Sequence, residues 1–388
     1  MFLLLSEVTE KEKIDVGIKA YNCSKLLKLG VNTKGGFVIF GSFDKKDAEL
    51  IEHYAVEGAL YAVRSSMGDE DRVESSNAGR YESVLAVKKE KLIDEIKYVL
   101  KSAEKNKKRA VLIQELVVSE VAGVVFTKNP VYKTKEMLIN ACLGAGENVV
   151  SSIMEPDSYE VGENSIKLYP KERGVVFSYG IDSYPGEHIM LNGIEVRTVI
   201  SNDYKTIHSV FYEYAKEPVL REKQIRELYR IAKKLRKAFG EELDIEFAIE
   251  KGRLYILQVR PITVMSQIVR EKLEEHTTGA IHGQVVSIGN FYGEAVFVDI
   301  ACLEDLEMER ELYENKILVV YELIPELVYC MDGVGAILTA KGGVLSHGAI
   351  LAREKGIPCI SGLGENIYKF KTGTYLTVNA EKGEVVIG

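Results

Sequence analysis

A histidine stands where a glycine-rich loop leads into a helical pattern. His347 follows Gly342, Gly343 and Ser346 and precedes the helix-like run 348–355. A helix N-terminus presents unpaired N–H groups and the positive end of the helix dipole, so it favours a histidine that carries negative charge, such as a phosphoryl group. Neutral histidine is also a competent nucleophile for phosphoryl transfer. A capping Ser346 beside an incidental histidine explains the same residues, so both interpretations stay open at this level.

A second group of reactive residue types occurs in LDIEFAIEKGRLYILQVRPIT. A hairpin centred on Gly252 places Glu246 opposite Gln258 and Asp244 opposite Arg260, with all four side chains on one face. Carboxylate and amide oxygens suit Mg²⁺, which binds together with substrate phosphates, and an arginine neutralises the phosphate chain. A cross-strand salt bridge on a solvated sheet is the simpler alternative, but the strongly apolar residues around this patch favour a binding site.

An arginine and a small-residue loop form a third candidate in YAVRSSMGDEDRVESSNAGRYESVLAV. Arg64 is predicted to follow a short apolar strand, and Ala78 and Gly79 precede another. A guanidinium fork and the N–H groups of such a loop can together hold a triphosphate. An exposed arginine beside a surface turn explains the segment equally well.

Length and composition indicate a globular protein of more than one domain. The chain has 388 residues, 46% hydrophobic and 28% charged, enough for two or three domains with apolar cores. The formal net charge of -8 and the absence of a basic stripe argue against nucleic-acid binding. No apolar run reaches the ~18 residues of a membrane helix, and the apolar start is too short for a signal peptide. Five scattered cysteines without a CxxC motif indicate a reduced, cytoplasmic protein without zinc.

Hydrophobic patterns predict an α/β protein with two domains. Residues 1–265 alternate short apolar runs with helical patterns, including one helix that ends at Gly240. The polar, charged stretch 266–282 has no strand pattern and is expected to be a linker with a helical stretch. Short strands and glycine turns in 283–388 predict a compact β/α domain of about a hundred residues.

The histidine loop resembles a motif of the phosphoenolpyruvate-utilising enzymes, which include phosphoenolpyruvate synthase, pyruvate phosphate dikinase and rifampin phosphotransferase. The sequence GGVLSHGAILAREKGIP matches the family pattern GG-x-x-[ST]-H-x-A-x-x-AR-x-x-GIP. In that family the histidine is phosphorylated and belongs to a small swivelling domain, so the resemblance implies that His347 is the catalytic nucleophile. Leu345 and Gly348 differ from many dikinases and are closer to the rifampin phosphotransferase type.

The N-terminal domain resembles the ATP-grasp domain of the same family. VGIKAYNCSKLLKLG resembles the opening that carries a nucleotide-contacting lysine, which corresponds to Lys19. The segment around VRSS resembles VRSSATAED…AGQxxT, whose Arg, Gly and Thr touch the nucleotide. These three positions correspond to Arg64, Gly79 and Ser83.

Two further segments extend this resemblance. VLIQELVVSEVAGVVFTKNPV resembles VIVQxMVxxEVAGVxFTxNPV, which implies that Gln114 contacts the adenine side and that the backbone around Glu115 and Val117 reads the base edge. The hairpin resembles DIEW…LYxLQxRPIT, which implies a nucleotide site of four residues with two metal ligands. The metal ligands are Glu246 and Gln258, the phosphate contact is Arg260, and Asp244 completes the site.

The resemblance covers 10–265 and 283–388 and predicts an ATP-dependent phosphotransferase that uses ATP and Mg²⁺. It implies that AMP and Pi are released, whereas the residues do not indicate which phosphorus is attacked. A pyruvate-binding barrel and an antibiotic-binding domain are both missing from the sequence, so the expected acceptor is pyruvate on a separately encoded barrel subunit or another small molecule. Three alternatives stay open: a rifampin phosphotransferase-like kinase, a non-catalytic regulatory subunit, and direct transfer with His347 as general base.

Overall fold

The structure is a computed structural model of the chain. It describes residues 1–388 except for 67–82, 103–109, 132–133, 147–155, 172–173, 182, 203–204, 263–278, 299–312, 325–326, 328–330 and 345–346. The chain forms two compact units: the first comprises 1–127, 139–146 and 173–261, and the second comprises 128–138, 147–172 and 262–388. The expected linker 266–282 lies outside the described residues up to position 278, and its last two residues form a strand.

Helices and strands are mixed along the described residues, which confirms the α/β prediction. The helices are α1 Lys13–Lys28, α2 Lys45–Tyr54, α3 Leu92–Ser102, α4 Glu222–Phe239 and α5 His347–Lys355, and 3₁₀ turns occur at Lys89–Lys91, Tyr212–Tyr214 and Gly364–Lys369. The strands are β1 Phe2–Leu4, β2 Gly36–Phe40, β3 Leu60–Ser65, β4 Ser83–Lys88, β5 Ala110–Glu115, β6 Val121–Phe126, β7 Met137–Leu143, β8 Asp157–Val161, β9 Ile166–Tyr169, β10 Val175–Tyr179, β11 His188–Leu191, β12 Ile194–Asn202, β13 Lys205–Val210, β14 Leu243–Glu250, β15 Arg253–Pro261, β16 Ile281–His282, β17 Gln284–Ser287, β18 Asn290–Val298, β19 Ile317–Val320, β20 Ala336–Thr339, β21 Cys359–Ser361, β22 Tyr375–Asn379 and β23 Glu384–Ile387. No helix among the described residues is long and apolar enough to cross a membrane.

The N-terminal sheet of the first unit is antiparallel, with strand order β1-β2-β5-β3-β4. Successive side chains point to opposite faces of a strand, so its apolar strands build two cores. One core contains residues of α2 and α3, and the other contains residues of α1. Val38 and Leu112 belong to the α1 core, while Phe37 and Ile113 belong to the other.

A second sheet of the first unit contains the predicted hairpin. Its strand order includes β15-β14-β6-β7, and β14 pairs antiparallel with both β15 and β6. Helix α1 contacts β15, and α4 contacts β14. Helix α4 ends at Gly240, as predicted, because that residue adopts the left-handed conformation with φ 80°.

A third, antiparallel sheet of the first unit has the order β10-β13-β12-β11. It buries His208, whose Nε2 hydrogen-bonds to Ser178 at 2.8 Å and whose Nδ1 hydrogen-bonds to Thr198 at 3.2 Å. Burial lowers the pKa of His208 to about 4, so this histidine is neutral at physiological pH.

The second unit contains the β8–β9 hairpin and an eight-stranded sheet with the order β16-β23-β22-β18-β19-β20-β21-β17. Strands β18, β19, β20 and β21 are parallel, and α5 connects β20 to β21. The two faces of this sheet bury separate apolar cores. This connection brings the loop after β20 directly to the N-terminus of α5.

Candidate functional site

The β14–β15 hairpin has the predicted pairs at its polar end, although its register near the turn differs by one residue from a hairpin centred on Gly252. Its two turn residues, Lys251 and Gly252, have φ angles of 50° and 72°, which are typical of the type I′ turns that suit antiparallel hairpins. Asp244 pairs with Arg260, and the next polar pair is Glu246 with Gln258. The prediction of these pairs is confirmed. Paired residues lie about 5 Å apart at Cβ, so the four side chains share one face.

An extra residue in β15 makes this register possible. Continued from the two-residue turn without interruption, the ladder would pair Glu246 with Leu257. Instead the register shifts between Glu246 and Phe247, and Glu246 pairs with Gln258. Leu257 is therefore the extra residue of a β-bulge, a device that re-aims the side chains of the bulged strand.

Asp244 orients the guanidinium of Arg260. The Nε of Arg260 donates to Oδ2 of Asp244 at 2.7 Å. The side chain of Asp244 is 8% exposed and that of Arg260 is 39% exposed. A buried carboxylate thus holds a partly exposed guanidinium, the geometry that a phosphate-binding arginine requires.

Glu246 and Gln258 contribute hard oxygen atoms beside this ion pair. Gln258 is buried and Glu246 is half-buried. Across the described ranges, no group of three or more His, Cys, Asp or Glu side chains could hold a metal ion. A carboxylate and an amide oxygen nevertheless fit Mg²⁺, which keeps several waters and completes its shell with substrate phosphates.

Helix α1 is interrupted at Gly17, just before Lys19. Gly17 has φ 80° and ψ 163°, so the helix continues only after it. Ser66, from the VRSS segment, fixes this break: its Oγ donates to the Val16 carbonyl at 2.7 Å and accepts from the Ala20 N–H at 3.1 Å. The VRSS segment therefore positions the turn of α1 that contains Lys19.

Three predicted site residues lie within electrostatic range of the buried thiol of Cys23. Burial is the main cause that raises the pKa of Cys23 to about 12, and the charges of Arg64, Glu246 and Lys19 also act on it. Electrostatic influence at one buried atom means that these side chains come from α1, β3 and β14 to a common region. The raised pKa keeps the thiol protonated, so Cys23 is a packing residue and not a nucleophile.

Arg64 lies within β3 and not after it. It pairs with Ser83 on β4 and with Leu112 on β5. Paired residues of antiparallel strands point to the same face, so the guanidinium and the hydroxyl predicted to bind the nucleotide project together. Gly79, the third residue of this prediction, lies outside the described residues.

The last two residues of β5 are hydrogen-bonded to the loop before β2, and they hold the start of the segment that follows β5. Gln114 is buried, and its Nε2 donates to the carbonyl of Lys34 at 3.1 Å. Glu115 accepts from the Lys34 ammonium at 2.6 Å. Val117 is buried with Ala122 and other apolar residues. Gln114, Glu115 and Val117 thus belong to one ordered stretch of backbone.

His347 is the first residue of α5, so it lies at the helix N-terminus that the sequence predicts, and hydrogen bonds hold the loop before it. Thr339 donates to the Lys341 carbonyl at 2.7 Å, and Ser361 donates to the Gly342 carbonyl at 2.9 Å. Arg353, one turn and a half into α5, donates to the Val344 carbonyl at 2.7 Å and to Val286 at 3.1 Å. Ser346 lies outside the described residues.

The glycine that follows the histidine is required by packing. A Cβ on Gly348 would overlap the side chain of Leu323. The close approach of Leu323 to the first turn of α5 therefore leaves room only for glycine unless Leu323 shifts.

Sequence reasoning missed several residues that hold the site. Ser66 fixes the break in α1, Lys34 ties down the segment after β5, and Arg353 spans the histidine loop. Ser66 and Arg353 both lie inside quoted motifs. A polar side chain within such an apolar motif is expected to bond to nearby backbone, and this feature could have identified both residues. Lys34 lies in no motif, and its contacts depend on residues far away in the sequence.

Comparison with known proteins defines the class to which this chain belongs. Residues 42–279 match the family described as pyruvate phosphate dikinase, AMP/ATP-binding domain, and residues 312–383 match the PEP-utilising enzyme, mobile domain. The chain belongs to the phosphoenolpyruvate-utilising enzymes.

Curated relatives support the same assignment. The chain is 32% identical to a probable phosphoenolpyruvate synthase of Pyrococcus horikoshii and 33% identical to the phosphoenolpyruvate synthase of Pyrococcus furiosus; each alignment covers 88% of this chain and 42% of the relative. The chain therefore spans less than half the length of these relatives. Among solved structures, it is similar to the D-alanine-D-alanine ligase of Helicobacter pylori with a TM-score of 0.30 and 13% identity, over 61% of this chain and 51% of that one.

Proposed function

We propose that this chain transfers a phosphoryl group from ATP to His347 and then to a small acceptor. The observation that supports this most directly is the polar face of the β14–β15 hairpin, where Asp244 holds the Arg260 guanidinium beside the pair Glu246 and Gln258. Lys19 and Arg64, from α1 and β3, lie in the same region as Glu246, since all three act electrostatically on the Cys23 thiol. A salt bridge that only stabilises the fold would need one cation and one carboxylate, so the additional charged groups favour a ligand site.

Cationic side chains of the first unit bind the phosphate chain in this proposal. Lys19 supplies a point charge, and Arg64 supplies a planar fork with the Ser83 hydroxyl on the same face. Arg260, oriented by Asp244, neutralises charge that develops on phosphate oxygens during transfer.

The remaining predicted residues bind the metal and the base. Glu246 and Gln258 would hold Mg²⁺, which would supply positive charge that stabilises the phosphate chain during transfer. Gln114 contacts the adenine side of the nucleotide, and the backbone around Glu115 and Val117 forms hydrogen bonds with the edge of the adenine ring. None of the hydrogen bonds between described residues uses the Val117 amide, which supports its assignment to a ligand.

The proposed chemistry consists of two displacements, each of which forms one bond and breaks one. A lone pair of the His347 imidazole attacks the β-phosphorus of ATP, the bond from that phosphorus to the oxygen shared with the α-phosphorus breaks, and AMP leaves with the electron pair. Water then attacks the γ-phosphorus of the pyrophosphohistidine, the bond to the oxygen shared with the β-phosphorus breaks, and Pi leaves, so ATP and water yield AMP, Pi and phosphohistidine. The N-terminus of α5 favours the added negative charge.

The first acceptor to test is pyruvate, since the named relatives are phosphoenolpyruvate synthases. The chain spans 42% of those relatives. In this proposal, pyruvate binds a separately encoded barrel subunit. A small molecule that binds directly to this chain is the rifampin phosphotransferase-like alternative.

The decisive experiment incubates the chain with Mg²⁺ and ATP labelled separately at the β and γ positions, without an acceptor. Mass spectrometry of the intact protein and nucleotide analysis follow. Acid-labile, base-stable β label on the wild type, with AMP and Pi formed and the label lost in His347→Ala, is the expected result. His282→Ala, at an exposed histidine of the same unit, is the matched control. Bound ATP without a phosphoenzyme would contradict the proposal and favour a regulatory subunit or direct transfer.

A further inference from the structure

Lys34 lies between two carboxylates that come from distant parts of the first unit. Its Nζ is 2.6 Å from Oε1 of Glu115 and 3.3 Å from Oε2 of Glu250. The side chains of Lys34 and Glu250 are each 17% exposed, and that of Glu115 is 37% exposed. Such limited exposure strengthens these ion pairs relative to pairs on an open surface.

The same cluster holds the backbone after β5 at both of its ends. At the first end, the Gln114 side chain donates to the Lys34 carbonyl, and the Glu115 N–H donates to the Gly35 carbonyl at 3.1 Å. At the second end, Oε1 of Glu250 accepts from the Val118 N–H at 2.7 Å. Among the residues that the structure describes, Lys34 is the one that forms ion pairs with both carboxylates and thereby joins the two ends.

Val117 lies between these two attachments. Its side chain is buried against Ala122 and Ala248, with Tyr255 and Leu257 packed beside them. Its amide takes part in none of the hydrogen bonds between described residues. The segment therefore presents one fixed N–H group from a backbone that is anchored on either side.

Lys34, Glu115 and Glu250 together form what we call the clamp. Its residue Glu250 lies on the same face of the hairpin as the polar pairs. Glu250 and Glu246 are both even-numbered residues of β14, and the bulge keeps Gln258 on that face as well. Four residues of strand separate Glu246 from Glu250, which is roughly 13 Å. A nucleoside triphosphate extends over such a distance, with phosphates at Glu246 and the base at Glu250.

The charges explain why a lysine is needed at this position. Burial alone would lower the pKa of Lys34, but the hydrogen bond to Glu115 and the charges of Glu115 and Glu250 outweigh it, so the pKa is raised. The ammonium stays charged and offsets the repulsion between two neighbouring carboxylates. Without it, Glu115 and Glu250 would repel each other and pull the two ends of the segment apart.

We propose that Lys34 is a positioning residue that holds the segment 115–118 in register with the nucleotide base and so sets the preference for adenine over guanine. This inference rests on the proposed function. Adenine offers an N–H donor and a ring acceptor to a backbone carbonyl and amide in this arrangement. Guanine offers the reverse pattern, and a rigid segment leaves those groups unpaired.

The test compares Lys34→Met with Lys34→Arg and with the control Lys45→Met. The Lys45 side chain is 92% exposed, and its Nζ is 3.9 Å from Oε1 of Glu49. Calorimetry measures the dissociation constants of ATP, GTP and tripolyphosphate, and single-turnover labelling measures the phosphoenzyme rate at saturating ATP. Lys34→Met should weaken ATP binding about tenfold, leave GTP and tripolyphosphate unchanged, and keep most of the saturated rate. Lys34→Arg should restore part of the ATP preference, and Lys45→Met should match the wild type.

Three outcomes would overturn the inference. An unchanged ratio of ATP to GTP affinity in Lys34→Met, in a protein that still forms phosphoenzyme, contradicts the role of Lys34 while leaving the proposed function intact. If the wild type binds no ATP, both the role of Lys34 and the proposed function are contradicted. If Lys34→Met does not fold, Glu250→Gln, which keeps an oxygen for the Val118 amide but removes the charge, must lower the same ratio, and an unchanged ratio rejects the clamp.

Discussion

Glu246 lies directly opposite Gln258 across the β14–β15 hairpin because one extra residue, Leu257, is inserted in β15. The insertion turns the amide of Gln258 to the face that bears the carboxylate. Opposed side chains in such a pair are about 5 Å apart at Cβ, close enough to share one cation. The same insertion keeps Asp244 and Arg260 paired on that face. The bulge is thus the backbone feature that assembles the proposed magnesium site.

Removal of either oxygen donor should raise the Mg²⁺ requirement. Glu246→Gln and Gln258→Ala are each expected to increase the Mg²⁺ concentration for half-maximal phosphoenzyme formation by at least about tenfold, since a ligand of the metal is lost or weakened. A Mg²⁺ titration of single-turnover labelling measures this value. Glu49→Gln, at an exposed glutamate, is the control. If the wild type, the two hairpin variants and Glu49→Gln all had the same half-maximal Mg²⁺ concentration, the hairpin would not be the magnesium site.

Gly17 is expected to tolerate no side chain. An added Cβ would overlap the carbonyl of Ser66 and lie 2.8 Å from its Oγ, and the φ of +80° is already unfavourable for other residues. Gly17→Ala should therefore lower the free energy of unfolding by more than about 2 kcal/mol and weaken ATP binding through Lys19.

Gly30→Ala is the control that separates the cost of steric overlap at Gly17 from the cost of a positive φ angle. Gly30 also has a positive φ, of +63°, but nothing lies within 4 Å of its added Cβ. This variant should lose only about 1 kcal/mol and bind ATP normally. Chemical denaturation and calorimetry compare the two proteins. Similar losses in both would mean that Ser66 does not constrain the break in α1.

His208 should make stability depend on pH below neutrality. Burial lowers its pKa from 6.5 to about 4 in the folded state, so between these values the unfolded chain binds a proton that the folded chain does not. Stability therefore rises with pH through this window and is lost as the pH falls from 6.5 towards 4, by about 3 kcal/mol in total.

Substitution of this histidine provides the measurement. His208→Gln should have a lower denaturation midpoint at pH 7, because it replaces a buried hydrogen-bonded ring, but a flatter change between pH 7 and pH 5. His188→Gln, at an exposed histidine of the same sheet, should keep the slope of the wild type. If His208→Gln retained that slope, other groups would account for the pH dependence.

Local patterns in the sequence predict the elements of the site better than the contacts between them. The hairpin pairs were predicted because alternation along β14 and β15 is readable, yet the prediction centred the turn on Gly252 and had no means to foresee the bulge at Leu257. The helix start at His347 follows from glycine before it and a helical pattern after it. The break at Gly17 and the clamp at Lys34 depend on partners 49 and 81 residues away along the chain, at Ser66 and Glu115. No periodicity within one segment encodes such pairs.

Arg353 connects the helix that begins at His347 to the loop that precedes it. Its guanidinium donates to the carbonyls of Val344 and Val286, 2.7 Å and 3.1 Å away, so one planar fork holds two backbone segments. A lysine has a single donor group and cannot reproduce this geometry. Arg353→Lys should therefore slow phosphoenzyme formation about tenfold while the dissociation constant of ATP stays unchanged, because the nucleotide residues lie in the first unit.

Lys355→Met, two residues further along α5, is the matched control for this substitution. Lys355 pairs with Asp332 near the exposed C-terminal end of the helix, and it makes no bond to the part of the histidine loop that the structure describes. It should retain the wild-type labelling rate. Rapid-quench labelling with ATP, together with calorimetry, measures both quantities for each variant. A normal rate in Arg353→Lys would show that the loop keeps its conformation through Thr339 and Ser361 alone, and a loss of ATP binding would show that the variant acts outside its own unit.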